Sequence, residues 1–313
     1  MRIVFMGTPE FAVPSLKALY DNGYDVVGVF TQPDRPKGRG NKVIASPVKQ
    51  FAVEKGIAVF QPQRIRRDGV EDLRSLAPDL CVTAAFGQIL SQEILDIPRL
   101  GTINVHASLL PRHRGSAPIN WAILQGDKTV GVTTMMTDKG IDTGDMLLKS
   151  ETAYQPGETA GELTVRLSEL GAALLVDTLQ ALEAGTLVRI PQDEGAMTYD
   201  PMLTKEMGII DWAEDAAALV NRIHGLNPWP GCSTAIPGGR LKVLRAEVAE
   251  GTGVPGEILA ADPKGGLVVA AGKGAVRVMQ LQAPGGKPMN SKDYLRGHPM
   301  AAGSVLKEDE VNG

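Results

Sequence analysis

The chain has 313 residues, 43% of them hydrophobic, and a formal net charge of −4. That length is generous for one domain and comfortable for two, and the acidic balance excludes a surface coated all over with nucleic-acid-binding charge, so any RNA contact has to come from a local patch. Its two cysteines, Cys81 and Cys232, are far apart without CxxC spacing, which argues against a zinc site and a disulfide framework.

In chain order, short apolar runs at 3–6, 26–31, 80–86, 103–105 and 131–136 read as strands, while 13–20, 48–55 and 119–124 carry helical spacing and 162–182 is the longest helical stretch. This alternation predicts βαβ units, that is, an α/β fold with a mostly parallel twisted sheet flanked by helices. Residues 188–207 lose periodicity among prolines and glycines and read as a linker. A helix candidate at 215–223 is followed by strand candidates at 233–236, 241–248, 256–260, 267–271 and 276–281, a spacing that suggests a small barrel or sandwich. The expected division is therefore 1–187, a linker at 188–207, and a β domain at 208–313. No apolar run approaches the ~20 residues of a membrane span, and MRIVFMG enters a strand pattern without a basic leader, so a cytoplasmic protein with no membrane partner is expected.

The chemistry concentrates in NVHASLLP, starting at Asn104, and DKGIDTGD, from Asp138 to Asp145. Asn104 and His106 are two apart at a strand end, so their side chains leave on one face of the sheet. Asp142 adds a carboxylate from a glycine-rich turn, and an amide, an imidazole and a carboxylate together suit acyl transfer onto an amine. The segment GTPEF after the first strand lacks the later glycines of GxGxxG, and no GxxxxGK[ST] occurs, so no nucleotide cofactor is expected. His113 reads as a surface loop residue without a role, and His224 and His298 likewise receive none. A basic stretch, PDRPKGRGNKVIASPVK, carries Arg35, Lys37, Arg39, Lys42 and Lys49 with three prolines and two glycines, a composition that resists regular structure and suits an exposed loop.

Taken with RIVFMGTPEFAVPSL at 2–16, VVGVFTQPDRPKGRG at 26–40, SPVK at 46–49, FQPQ at 60–63 and NPWPG at 227–231, these motifs make the chain resemble the folate-dependent formyltransferase family along essentially its whole length. The QPDRPKGRG segment resembles the members that act on tRNA. This resemblance implies a Rossmann-like catalytic domain and an OB-like C-terminal barrel that binds tRNA. It implies transfer of the formyl group of 10-formyltetrahydrofolate to the amino group of initiator methionyl-tRNA, for translation initiation, in a bacterial-type cytoplasmic monomer without metal, nucleotide or DNA. Asn104, His106 and Asp142 are then the catalytic residues. Phe86, Gly87, Gln88, Ile89 and Leu90, with Asp138, Gly140 and Ile141, would hold the pterin, and Ser108, Leu109, Leu110 and Pro111 would line the folate site. For tRNA the resemblance implies Arg39 with Arg35, Lys37 and Lys42, while Arg240, Lys242 and Arg245 offer a second, C-terminal contact. A sugar-nucleotide amine formyltransferase, a glycinamide ribonucleotide formyltransferase and a non-catalytic RNA-binding protein are the competing readings; the basic loop favours tRNA.

Overall fold

The computed structural model describes residues 1–37 and 42–306. Two compact units divide the chain: Met1–Pro118, Thr129–Thr152 and Thr164–Asp200 form the first, and Ile119–Lys128, Ala153–Leu163 and Pro201–Gly313 the second.

The first unit begins with β1 (Arg2–Gly7), α1 (Val13–Asp21) and β2 (Asp25–Phe30), then a two-stranded hairpin of β3 (Arg35–Lys37) and β4 (Lys42–Ile44). Two pieces of the basic stretch are thus paired as strands and its residues 47–49 are helical, where its composition had suggested irregular chain. There follow α2 (Pro47–Glu54), β5 (Val59–Phe60), the short α3 (Ile65–Asp68) and α4 (Val70–Ser75), β6 (Leu80–Ala84), α5 (Gln92–Leu95), β7 (Thr102–His106) and β8 (Arg114–Gly115). Past α6 (Pro118–Leu124) come β9 (Thr129–Met136), β10 (Met146–Ala153), α7 (Ala160–Glu183) and β11 (Tyr199–Asp200).

The main sheet has the order β10-β9-β7-β6-β1-β2-β5, with β1, β2, β5, β6 and β7 parallel and β9 antiparallel to β7. Ile3, Val4, Phe5 and Met6 in its centre are fully buried, as a strand covered on both faces requires. Burying each such side chain is worth about 1.5–3 kcal/mol. On the β7–β9 side, α7 comes close enough that a Cβ on Gly171 would lie 2.8 Å from Val105 Cγ1, so the glycine is what lets the helix press against the strand that carries His106. A buried Thr134–Thr178 hydroxyl pair at 2.8 Å pins the same helix to β9.

The second unit packs α8 (Ala216–Gly225) and α9 (Ser291–Gly297) with an antiparallel sheet of β12 (Cys232–Ile236), β13 (Gly239–Ala249), β14 (Ile258–Asp262), β15 (Gly266–Ala270) and β16 (Ala275–Gln282), in the order β12-β13-β16-β15-β14, with β17 (Met289–Asn290) also paired to β16. Asp215 and Asn290 cap the two helices by accepting backbone N–H groups at Ala217 and Lys292. Trp212, Leu219, Ile223, Leu241, Val243, Val276 and Leu281 fill the core between sheet and helices. The turn spacing suggests a small barrel or sandwich here, and the unit holds this antiparallel sheet. Among the described residues no helix is long and apolar enough to cross a membrane.

Candidate active site

Asn104 and His106 occupy the end of β7, as expected. Thr83, the neighbour of Asn104 on β6, donates its hydroxyl to Asn104 Oδ1 at 2.8 Å. With the carbonyl oxygen occupied, the amide Nδ2 is the end left to donate, and it has no hydrogen-bond partner among the described residues. His106 is 6% exposed, and its Nε2 lies 2.9 Å from the carbonyl oxygen of His113. A carbonyl only accepts, so Nε2 carries a proton and Nδ1 is the nitrogen left to gain or lose one. That nitrogen faces Asp142, 3.6 Å from Oδ1, while Asp142 Oδ2 accepts the Gly115 N–H at 2.9 Å.

Asp142 arrives by a route that the motif alone does not reveal. In an all-parallel sheet DKGIDTGD, which follows its strand, would lie at the same end as His106, but β9 runs antiparallel to β7, with Thr133 beside His106 and Met136 beside Ile103. The chain therefore leaves β9 level with the start of β7 and has to travel back along about three residues of strand, roughly 10 Å, to bring its carboxylate to the imidazole. The loop that does so is held at several points. Asp138 Oδ1 accepts from the Gly140 N–H at 3.0 Å and from Thr143 Oγ1 at 2.7 Å, so this carboxylate builds the turn. Gln192 Nε2 donates to the carbonyls of Asp142, at 2.7 Å, and Gly144, at 2.8 Å, while its Oε1 accepts from Arg114 Nε at 2.9 Å. Arg114, 2% exposed, also grips Glu194 through both terminal nitrogens.

Backbone strain gathers here as well. Asp142, His113, Ala117 and Ala85 adopt left-handed conformations with φ of 54°, 61°, 57° and 45°. Each costs about 1 kcal/mol or more and persists only where the surroundings over-determine it. Gly115, at φ 101°, has no room for a side chain: a Cβ would lie 2.6 Å from the carbonyl oxygen of Asp200.

Two expectations need correction. His113 is not a surface residue but is 3% exposed, with Nδ1 2.8 Å from Asp200 Oδ2 and its N–H on Thr198 Oγ1 at 2.7 Å. Its position in a loop suggested exposure, and the partner that buries it lies 87 residues further on. Residues 188–207, without periodicity, read as linker, yet Gln192, Glu194, Thr198 and Asp200 in that stretch buttress the site, and β11 pairs in parallel with β8. Their only sequence signal was polarity in a stretch otherwise taken for a connection.

The expected folate-binding residues divide between backbone and side chain. Phe86 belongs to the core cluster with Val4, Met6 and Phe30, and Leu110 packs with Met135 and Met146. Gly87 gives its carbonyl to Gln32 at 2.9 Å, Gln88 spends its amide on Ile65 N and Pro62 O, and Ser108 donates to Arg112 O. Leu90 packs against the core containing Phe86, whereas Ile89 and Ile141, 72% and 57% exposed, present large apolar side chains to solvent. Leu109 and Pro111 remain half-buried, and Gly140 is exposed.

In the basic stretch, Arg35 is exposed on β3, Lys37 and Lys42 are register partners in the hairpin, and Arg39 lies outside the described residues. Lys49 is committed elsewhere: its Nζ bonds Asp34 Oδ2 at 2.5 Å and Gln61 Oε1 at 2.7 Å, and this contact holds the Asp34 carboxyl below the usual carboxylate range. In the second unit Arg240 and Lys242 are exposed on β13, whereas Arg245 follows a register shift and pairs with Glu162. Burial pushes the Cys81 and Cys232 thiols up to about 12, so both are inert. No cluster among the described residues has the make-up of a metal site.

Residues 1–179 match the formyl transferase family, and residues 202–299 match the formyl transferase C-terminal domain. A methionyl-tRNA formyltransferase of Caldanaerobacter subterraneus subsp. tengcongensis is 50% identical over 98% of this chain and 100% of its own, and one from Trichlorobacter lovleyi is 50% identical over 99% and 98%. Among solved structures, the sugar 3N-formyl transferase WlaRD shares the fold with a TM-score of 0.65 at 17% identity, over 88% of this chain and 96% of its own. HypX from Aquifex aeolicus in complex with tetrahydrofolic acid gives 0.63 at 19% identity, over 99% of this chain and 51% of that one. The chain belongs to the formyl transferase family and, within it, groups with the methionyl-tRNA formyltransferases.

Proposed function

We propose that the first unit moves the formyl group of 10-formyltetrahydrofolate onto the methionyl amino group of initiator methionyl-tRNA by direct attack, with Asn104, His106 and Asp142 carrying the chemistry. The observation that supports this reading best is the pairing of His106 Nδ1 with Asp142 beside an Asn104 amide whose donor end is unoccupied. As the amine nitrogen bonds the formyl carbon, the formyl oxygen gains negative charge; Asn104 Nδ2 stabilises it there, joined by His106 Nδ1 once that nitrogen has taken up a proton in addition to the one on Nε2. His106 Nε2 does not serve this purpose, because the His113 carbonyl engages it. Asp142 takes the amine proton, directly or across one water. When the intermediate collapses, the carbon–nitrogen bond to the folate breaks and its N10 takes up a proton, so the amine's proton and the donor's new one balance.

Exposed Ile89 and Ile141 offer apolar surface to the flat pterin, and the backbone at 86–90 and 138–141 offers polar partners. The basic stretch with Arg35, Lys37, Arg39 and Lys42 engages the acceptor stem, and the second unit, through Arg240 and Lys242, engages the tRNA backbone. Formylation assays with purified protein, 10-formyltetrahydrofolate and four acceptors decide the matter. Formyl transfer to methionyl initiator tRNA, and little to a nucleotide-linked amino sugar, glycinamide ribonucleotide or charged elongator tRNA, is expected; RNA binding without formyl transfer would refute it.

A further inference from the structure

A second histidine–carboxylate pair lies behind the first. His113 Nδ1 and Asp200 Oδ2 are 2.8 Å apart, with side chains 3% and 1% exposed. Such a buried pair is not a cheap source of stability, since its desolvation costs about as much as its attraction returns and an apolar pair of similar volume often does as well. Its location gives it another use. The two pairs are joined through one backbone group, because the His113 carbonyl is what accepts the His106 Nε2 proton at 2.9 Å.

Residue 113 is left-handed, at φ 61°, a conformation uncommon outside glycine, and its neighbours hold it there. The constraint comes from 198–200. The His113 N–H donates to Thr198 Oγ1 at 2.7 Å, the imidazole pairs with Asp200, and on either side Arg114 N donates to Thr198 O at 2.9 Å and Ser116 N to Asp200 O at 3.0 Å. Ser108 Oγ lies 2.7 Å from the Arg112 carbonyl, bracing the turn from its other end.

The geometry points to Asp200 and His113 as positioning residues: by fixing the direction of the His113 carbonyl they keep the His106 proton on Nε2 and leave Nδ1 turned to Asp142 for proton exchange. Neither touches the reacting atoms. This inference rests on the reading in which His106 acts in formyl transfer. Were the carbonyl to swing away, Nε2 would lose its acceptor, the ring would be free to carry its proton on either nitrogen, and the fraction of protein with Nδ1 poised toward Asp142 would fall.

The test uses the full-length protein with 15N-labelled histidine, in wild type, Asp200→Asn, His106→Ala and the double variant. Wild-type His106 is expected to show Nε2 as the protonated nitrogen of the neutral ring. In Asp200→Asn, which keeps size and hydrogen-bonding capacity, the His106 nitrogen shifts should move toward a tautomer mixture. Its kcat should fall about tenfold or more, with KM for folate and for tRNA within about twofold of wild type. In the His106→Ala background Asp200→Asn should cost nothing further, because it acts through the residue already removed. Should Asp200→Asn fail to fold by near-ultraviolet circular dichroism, Thr198→Val, which removes only the hydroxyl holding the His113 N–H, carries the same expectations. A folded variant with unaltered His106 nitrogens and unaltered kcat overturns the inference, as does a loss that persists in full without His106. Full activity in His106→Ala would sink the catalytic reading and this inference together, whereas an inactive His106→Ala beside an unaffected Asp200→Asn sinks this inference alone.

Discussion

The two units handle their polar residues in opposite ways. In the first, His106, His113, Arg114, Asp200, Thr83 and Thr133 are all buried, and each is tied to a named partner around one small volume. In the second, the core is apolar, with Thr159, His224, Thr234 and Ser291 as its buried polar residues among those described, while Arg240 and Lys242 are exposed. The difference fits the proposed tasks. Stabilising charge on a single oxygen needs donors fixed in a dry site, so that no reorganisation is needed when the charge appears. Holding a polyanion needs only exposed cations that displace counterions from phosphates, and orientation matters little.

Breaking the preorganised site should therefore produce the largest effects. His106→Ala and Asp142→Asn are each expected to lower kcat by roughly a hundredfold to ten-thousandfold, the range for losing an oxyanion donor or a general base, with KM for tRNA little changed. Steady-state formylation at saturating substrates measures this, and rates within a few fold of wild type in both would remove those residues from the mechanism. Next comes Gln192→Ala. Its amide holds the Asp142 and Gly144 carbonyls and so pins the loop that has to reach back to His106. A displacement of the order of 1 Å there is enough to cost up to about a hundredfold, so a kcat loss of about tenfold to a hundredfold, with a nearly unchanged melting temperature, is expected. A melting temperature that drops while kcat holds would make Gln192 a fold residue instead. Surface cations should respond more gently. Arg240→Ala with Lys242→Ala should flatten the salt dependence of tRNA binding by about 0.7–0.9 in log–log slope per cation lost, and leave folate affinity alone. An unchanged slope would place the tRNA elsewhere.

What the sequence revealed of this arrangement depended on range. Strands such as Ile3–Met6 and helices such as α7 are written in local periodicity, and the spacing of Asn104 and His106 places both on one face without further information. The fold-back of the Asp142 loop was not legible, because strand direction depends on which neighbour β9 pairs with and not on its own residues. The 192–200 segment was equally hidden: Gln192, Thr198 and Asp200 follow no period, and their partners lie 50, 85 and 87 residues away. Nor does sequence tell that Phe86 and Leu110 are buried in apolar clusters, Phe86 with Val4, Met6 and Phe30 and Leu110 with Met135 and Met146. Lys49, counted among the bases of its stretch, is paired with Asp34 of the same stretch, which composition alone does not reveal.

The smallest expected effect belongs to the second unit and sharpens the contrast from its side. His224 is 3% exposed, and burial lowers its pKa below the ordinary value of 6.5. Its Nε2 lies 3.3 Å from the Ala246 N–H and accepts from it, so protonation would place a second donor against that N–H and a charge in an apolar core. In the folded state the ring binds a proton less readily than in the unfolded chain. The stability it contributes is therefore present above about pH 6.5 and is lost as the pH falls through the lower folded value. His224→Gln, whose side-chain carbonyl can accept the same N–H but cannot take a proton, should leave the melting temperature at pH 8 within a few degrees of wild type. It should also reduce the further loss seen on moving to pH 5. Equal acid sensitivity in the two proteins would mean that the ring escapes its buried position before it is protonated, and the second unit's core would then be less rigid around α8 than the packing of Leu219 and Ile223 implies.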